Sequence, residues 1–135
     1  MQEICRIMPW PRKGRTSTDK LPGGDFGTSG LAGYRNDLNI RYSWLPARQI
    51  ERYVRQFGTR ADELLAGATG VADLGFHIGA DLYQREVDFL IDTEWAVTAD
   101  DVVWRRTKTG LRLASGEVRR LATYMEGKIG FIEFT

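Results

Sequence analysis

A chain of 135 residues, 42% apolar and 27% charged, has the size and mixture of one globular domain and excludes disorder throughout. Its net charge of +1 offers no field of one sign across the whole molecule with which to recruit nucleic acid or an acidic surface. The single cysteine, Cys5, excludes an internal disulfide framework and a cysteine-rich zinc site. With no apolar run of about 18 residues and no apolar centre at Met1–Arg15, neither a membrane span nor a signal peptide is expected, and the sequence reads as that of a cytoplasmic protein.

The charge is uneven along the chain. Residues 1–20 hold Arg6, Arg12, Lys13, Arg15 and Lys20 against Glu3 and Asp19, so the N-terminal arm alone is basic. Pro9, Pro11, Pro22, Gly23, Gly24 and Gly27 deny it a long helix or strand, which predicts an irregular arm over residues 1–29.

From Leu31 the apolar residues recur at helical spacing. A first helix is expected over Leu31–Ser43, with Tyr34, Leu38 and Tyr42 on one stripe. Pro46 suits the first turn of a second, reaching Phe57, where Ile50, Tyr53, Val54 and Phe57 fall at i, i+3, i+4 and i+7 and Gly58 follows. Thr59 with Asp62 or Glu63 reads as the cap and first-turn acid of a short third helix, ending near Gly67 and Gly70. After a loop through Gly75 and Gly79, Leu82–Glu94 is the clearest amphipathic segment, with Tyr83, Val87, Leu90 and Ile91 on its inner face. Thr98 and Asp101 form a capping-box-like start for a fifth helix to about Thr109, closed by Gly110. Ser115 is expected to cap a sixth, with Val118, Leu121, Ala122 and Met125 inward and Gly127 as its end. Lys128–Thr135 is then a separate apolar tail. The expected fold is all-α: one helical domain of about six helices over residues 30–127, with the arm before it and the tail after it.

Little of this looks like catalytic machinery. The glycines at 24, 27, 30 and 33 match neither dinucleotide nor P-loop spacing, so turn geometry is favoured over a phosphate cradle. His77 is the only histidine, which rules out a histidine metal cluster; a hydrogen-bonded structural role is favoured over a hydrolase or isomerase site that pairs it with a carboxylate. Asp92 and Glu94 stand at the negative end of a helix dipole, where carboxylates need compensation. Arg105 and Arg106 are the expected partners, giving a structural network of Asp92, Glu94, Trp95, Trp104, Arg105 and Arg106. Trp44, Trp95 and Trp104 are expected to fill contacts between helices. Trp10 beside Arg12, Lys13 and Arg15 allows a second reading, an independent nucleic-acid-binding domain with a basic arm, although a solvated arm is favoured.

The stretches Leu21-Pro22-Gly23-Gly24-Asp25-Phe26, Ala72-Asp73-Leu74-Gly75, Asp92-Thr93-Glu94-Trp95-Ala96 and Thr98–Lys108 closely resemble the C-terminal helical domain of aerobic, FAD-dependent glycerol-3-phosphate dehydrogenases, from roughly Arg15 to Gly127. The resemblance implies a parent enzyme that oxidises sn-glycerol 3-phosphate to dihydroxyacetone phosphate and passes electrons through FAD to quinone while docked peripherally on the cytoplasmic membrane. It implies a non-catalytic accessory role here: no catalytic, cofactor-binding or metal residue, FAD only in the full-length enzyme, and the flavin domain or a second copy of the chain as partner.

Overall fold

The computed structural model describes residues 19–133, in which five α-helices and one small hairpin pack around a single apolar core. Helix α1 is Gly30–Arg41, α2 Ala47–Phe57, α3 Ala61–Leu65, α4 Gln84–Glu94 and α5 Ser115–Glu133; β1 (His77–Gly79) and β2 (Leu82–Tyr83) pair antiparallel. Among these residues no helix is long and apolar enough to cross a membrane.

The apolar stripes become the core. Leu38 of α1, Ile50, Tyr53, Val54 and Phe57 of α2, and Leu64 and Leu65 of α3 are all buried. Each side chain so enclosed contributes roughly 1.5–3 kcal/mol relative to exposure. Phe57 meets Phe89 of α4 edge to face, with ring centroids 5.4 Å apart, which joins α2 to α4. Arg85 of α4 donates through Nε to the Leu64 carbonyl at 2.5 Å and through Nη2 to the Ala66 carbonyl. In this way it satisfies carbonyls that the five-residue α3 leaves without partners.

Five expectations are corrected. The helix expected from Leu82 starts at Gln84, because Leu82 and Tyr83 are spent in the hairpin, with His77 opposite Tyr83 and Gly79 opposite Leu82. The fifth expected helix is not α-helical. Asp101–Arg106 is a π-helical segment, in which both the N–H and the hydroxyl of Thr107 bond the Val102 carbonyl five residues back, at 2.9 and 2.8 Å. Its predicted start nonetheless forms: Asp101 Oδ2 accepts from the Thr98 N–H at 2.9 Å and the Thr98 hydroxyl accepts from the Asp101 N–H at 3.2 Å. The N–H groups of Thr98 and then Val97 hold the Asp101 carboxyl below its ordinary value.

The last helix runs past Gly127 to Glu133. Asp88 of α4 explains the extension, since it takes the Tyr124 hydroxyl at 2.5 Å and the Lys128 ammonium at 2.6 Å, while Ile129 packs on the core. Those contacts offset the roughly 0.5–1 kcal/mol that a glycine costs inside a helix. At the other end Ser115 is the first helical residue, not the cap; Glu117 accepts the Ala114 N–H at 2.7 Å. Finally, α3 begins after a 3-10 turn at Gly58–Arg60, and its start is closed by no side-chain cap.

The end of the arm is attached to the domain. The Gly23 carbonyl accepts the Thr59 N–H at 3.0 Å, and Phe26 lies against Tyr34 with centroids 5.7 Å apart. Gly58, at φ 59, approaches the Gly23 backbone so closely that a Cβ would overlap its carbonyl. Gly58→Ala therefore meets both left-handed strain and a backbone collision, and is expected to destabilise the chain by about 3 kcal/mol. The measurement is a lower urea midpoint at unchanged m-value. A midpoint equal to that of the unaltered chain would show that this contact holds nothing.

Candidate functional site

The most strongly constrained polar group is Glu86, in the first turn of α4. It lies on the same face as Leu90, four residues on, and its side chain is fully enclosed. Arg52 of α2 meets it as a fork, Nη1 to Oε1 at 2.6 Å and Nη2 to Oε2 at 2.5 Å. The second nitrogen also donates to the Asp81 carbonyl at 2.7 Å, and Gln49 Nε2 donates to the same oxygen at 2.7 Å. Burial pushes the Glu86 carboxyl up from its ordinary value, and the Arg52 guanidinium opposes that push. Burial likewise works against the charge on Arg52, but Glu86 outweighs it and holds the guanidinium above its ordinary value. The pair thus ties α2, α4 and the hairpin turn together.

Arg52 also forms the back of an open cleft of about 680 Å³. Arg48, Arg52 and Arg55, spaced i, i+4 and i+7, line it from one face of α2, and Arg106, Lys108 and Arg112 line it from the segment before α5. Two acids line it. Asp81 pairs with Arg112 and, at 3.9 Å, with Arg48; burial alone would raise its carboxyl, yet Arg112 holds it below the ordinary value. Glu51 reaches Arg35 at 3.6 Å. Lys108 stands in the left-handed region, φ 58 and ψ 15, between two threonines whose hydroxyls are 2.7 Å apart.

The residues expected to form one network divide into two groups. Glu94 is held by Arg60, which the sequence reading missed, and by Arg106 at 3.4 Å. Arg105 turns back to Asp101 at 2.8 Å and does not reach Glu94. Asp92 is exposed. Trp95 and Trp104 do not fill the interior: Trp95 is 86% exposed and Trp104 45%, the latter lying over Gly110, where a methyl group would collide with the indole. Trp44 is half-buried, edge-on to Tyr42. Trp95 ends α4 with φ 54 and ψ 40, and Ala96 N–H bonds back to the Leu90 carbonyl at 3.1 Å. A bulky side chain in that conformation is strained by about 1–3 kcal/mol.

His77 is exposed on β1; its Nε2 is 2.7 Å from the Ala80 carbonyl and its ring packs on Tyr83. Among the described residues no cluster of three His, Cys, Asp or Glu could hold a metal. Cys5, Trp10, Arg12, Lys13 and Arg15 lie outside the described residues.

Two measurements test this geometry. Double-mutant cycles from Glu94→Gln should give a coupling of about 1 kcal/mol to Arg60, less to Arg106, and about zero to Arg105. Equal coupling to all three arginines would contradict the observed pairing. For the buried pair, Glu86→Gln is expected to cost about 3–5 kcal/mol, because it leaves Arg52 charged and uncompensated, whereas Glu86→Leu with Arg52→Met restores most of the loss. A double variant as unstable as the single one would show that the fork contributes more than mutual compensation.

Residues 14–132 match the family described as the C-terminal domain of alpha-glycerophosphate oxidase. The chain is 42% identical over 113 residues to a glycerol-3-phosphate dehydrogenase of Pseudomonas aeruginosa, covering 84% of this chain and 22% of that protein. It is 35% identical over 117 residues to a D-erythritol 1-phosphate dehydrogenase of Brucella abortus, covering 87% of this chain and 23% of the relative. To the aerobic glycerol-3-phosphate dehydrogenase of Escherichia coli it is 35% identical over 114 residues, 82% of this chain and 22% of that enzyme. The chain therefore spans about a fifth of the length of these relatives. With the match running through nearly all of the described helices, the chain belongs to the family of the C-terminal domain of alpha-glycerophosphate oxidase.

Proposed function

We propose that this domain is a non-catalytic accessory module of an FAD-dependent glycerol-3-phosphate dehydrogenase, which oxidises sn-glycerol 3-phosphate to dihydroxyacetone phosphate and delivers the electrons through FAD to quinone. The flavin and the catalytic groups belong to the other part of such an enzyme, which works as a peripheral protein on the cytoplasmic face of the membrane. The module packs against that part.

Trp95 carries this reading. Its indole is 86% exposed, Val97 beside it is 61% exposed, and the backbone holding it is in a conformation that a bulky residue adopts only under constraint. The constraint comes from the Ala96 bond to Leu90 and from the adjacent Glu94, fixed by Arg60 and Arg106. A rigid, outward aromatic is the kind of anchor that dominates protein interfaces. The match covers only 22% of the Pseudomonas aeruginosa relative, whose remainder supplies a partner surface in the same polypeptide.

The test mixes the purified chain with the Pseudomonas aeruginosa relative lacking its matched C-terminal segment. A one-to-one complex is expected, with a blue shift of tryptophan emission and a gain in quinone-linked turnover, and Trp95→Ala should weaken association at least about tenfold. The chain alone should bind no flavin. Stoichiometric flavin on the isolated chain, or no association with the truncated relative, would overturn the proposal; self-association through Trp95 alone would replace it with a homo-oligomer.

A further inference from the structure

We infer that the cleft between α2 and the Arg106–Arg112 segment is a binding site for a small phosphate monoester or free phosphate. The inference rests on the cleft alone and does not depend on how the module docks.

Charge comes first. Of the cations that line the cleft, Arg52 is matched by Glu86, Arg106 by Glu94, and Arg112 and Arg48 share Asp81. The side chains of Arg55 and Lys108 form no ion pair or hydrogen bond among the described residues, and Glu51 is engaged by Arg35. Two uncompensated positive charges therefore face one cavity. A phosphate monoester carries about −1.5 to −2 at neutral pH, a closer match than the single charge of a carboxylate.

The second observation is a surplus of donors. Arg52 Nε and Gln56 Nε2 are buried atoms with no hydrogen-bond partner, and both residues line the cleft. Gln56 Oε1 accepts from Arg52 Nη1 at 3.3 Å, which fixes the amide so that Nε2 is the remaining donor. A buried donor without an acceptor costs about 1–3 kcal/mol. A phosphate group, with three strong acceptor oxygens, answers the two cations, and a small turn of the Gln56 side chain would bring its enclosed N–H to the same oxygens.

Lys108 supplies the third. Its left-handed backbone is held by the Thr109 N–H bond to the Thr107 hydroxyl at 3.2 Å and by the bond of that hydroxyl to the Val102 carbonyl, which keeps a partnerless ammonium on the cleft lining. Strain retained around a functional group of this kind is common at ligand clamps. The volume, about 680 Å³, lies in the range of small-molecule sites and admits a short polyol chain beside the phosphate.

The experiment uses the full chain in a phosphate-free buffer. Isothermal titration with inorganic phosphate and with glycerol 3-phosphate should show saturable binding that weakens with added salt, while glycerol should show none. Arg55→Gln with Lys108→Asn, the latter tolerant of the left-handed backbone, should lower affinity at least about tenfold at an unchanged Tm. Should that double variant fail to fold, amide shift mapping on the unaltered chain decides: shifts centred on Arg52, Gln56 and Lys108 support the site, and shifts elsewhere overturn it. Phosphatidylglycerol vesicles form the third arm. Binding to vesicles without binding to free phosphate ligands would overturn the small-molecule site in favour of a lipid headgroup contact, as would the absence of any titration heat or equal affinity in the double variant.

Discussion

The arrangement of this domain depends on one enclosed carboxylate. Glu86 has no exposed surface, so α4 can seat its first turn only where a cation meets it, and Arg52 does so with both arms of its guanidinium. The same side chain takes the Asp81 carbonyl, so the position of α2 along α4 and the placement of the hairpin turn are settled together. A pair of this kind adds little stability over well-packed apolar residues of equal volume. Its effect is on choice among arrangements: sliding α2 by one turn would leave a buried charge uncompensated, whereas an apolar contact would only repack.

That constraint sets what each face of α2 can do. Ile50, Tyr53, Val54 and Phe57 are turned into the core, so Arg48 and Arg55 are turned, with Arg52 between them, toward the cleft. Burial pushes the Tyr53 phenol above its ordinary value, which keeps this core-facing hydroxyl neutral. The helix therefore has one apolar side, one cationic side and a single arginine at their boundary.

The helical fold was legible because α1, α2, α4 and α5 carry apolar stripes of the right period, and Leu38, Ile50, Val87, Leu121 and Met125 are buried as the stripes imply. What escaped was decided by partners distant in sequence. Leu82 and Tyr83 fit a helical stripe as well as a strand, and only the antiparallel partner at His77–Gly79 separates the two. Gly127 reads as a stop until Asp88, on a different helix, is seen to hold Lys128. Thr98 and Asp101 gave the correct start for the fifth segment, but its π-helical winding rests on a Thr107 hydroxyl that local propensity does not weigh. The site was less legible than the fold. Glu94 at the negative end of its helix calls for cations, and Arg106 is one of them, yet Arg60 lies 34 residues away and Arg105 is taken by its own helical neighbour. Glu86 left a readable trace, a charge four residues before Leu90 on the buried side of α4. The i, i+4, i+7 series Arg48, Arg52, Arg55 left another.

The tryptophans show where composition misleads. An aromatic side chain is ordinarily assigned to the interior because burying its large surface is favourable. Trp95 is instead turned outward at the end of α4, on a backbone that a glycine would occupy without strain. A chain that folded as an isolated unit would gain from a glycine there, both in backbone energy and in the loss of an exposed apolar patch. Under the proposed docking, the tryptophan at this position, held by the Ala96 bond and beside the Glu94 node, is the group that the partner surface covers. The ion pairs at Glu94 fix the residue that precedes the indole, and the interior is stabilised chiefly by the apolar stripes on the inward faces of the helices.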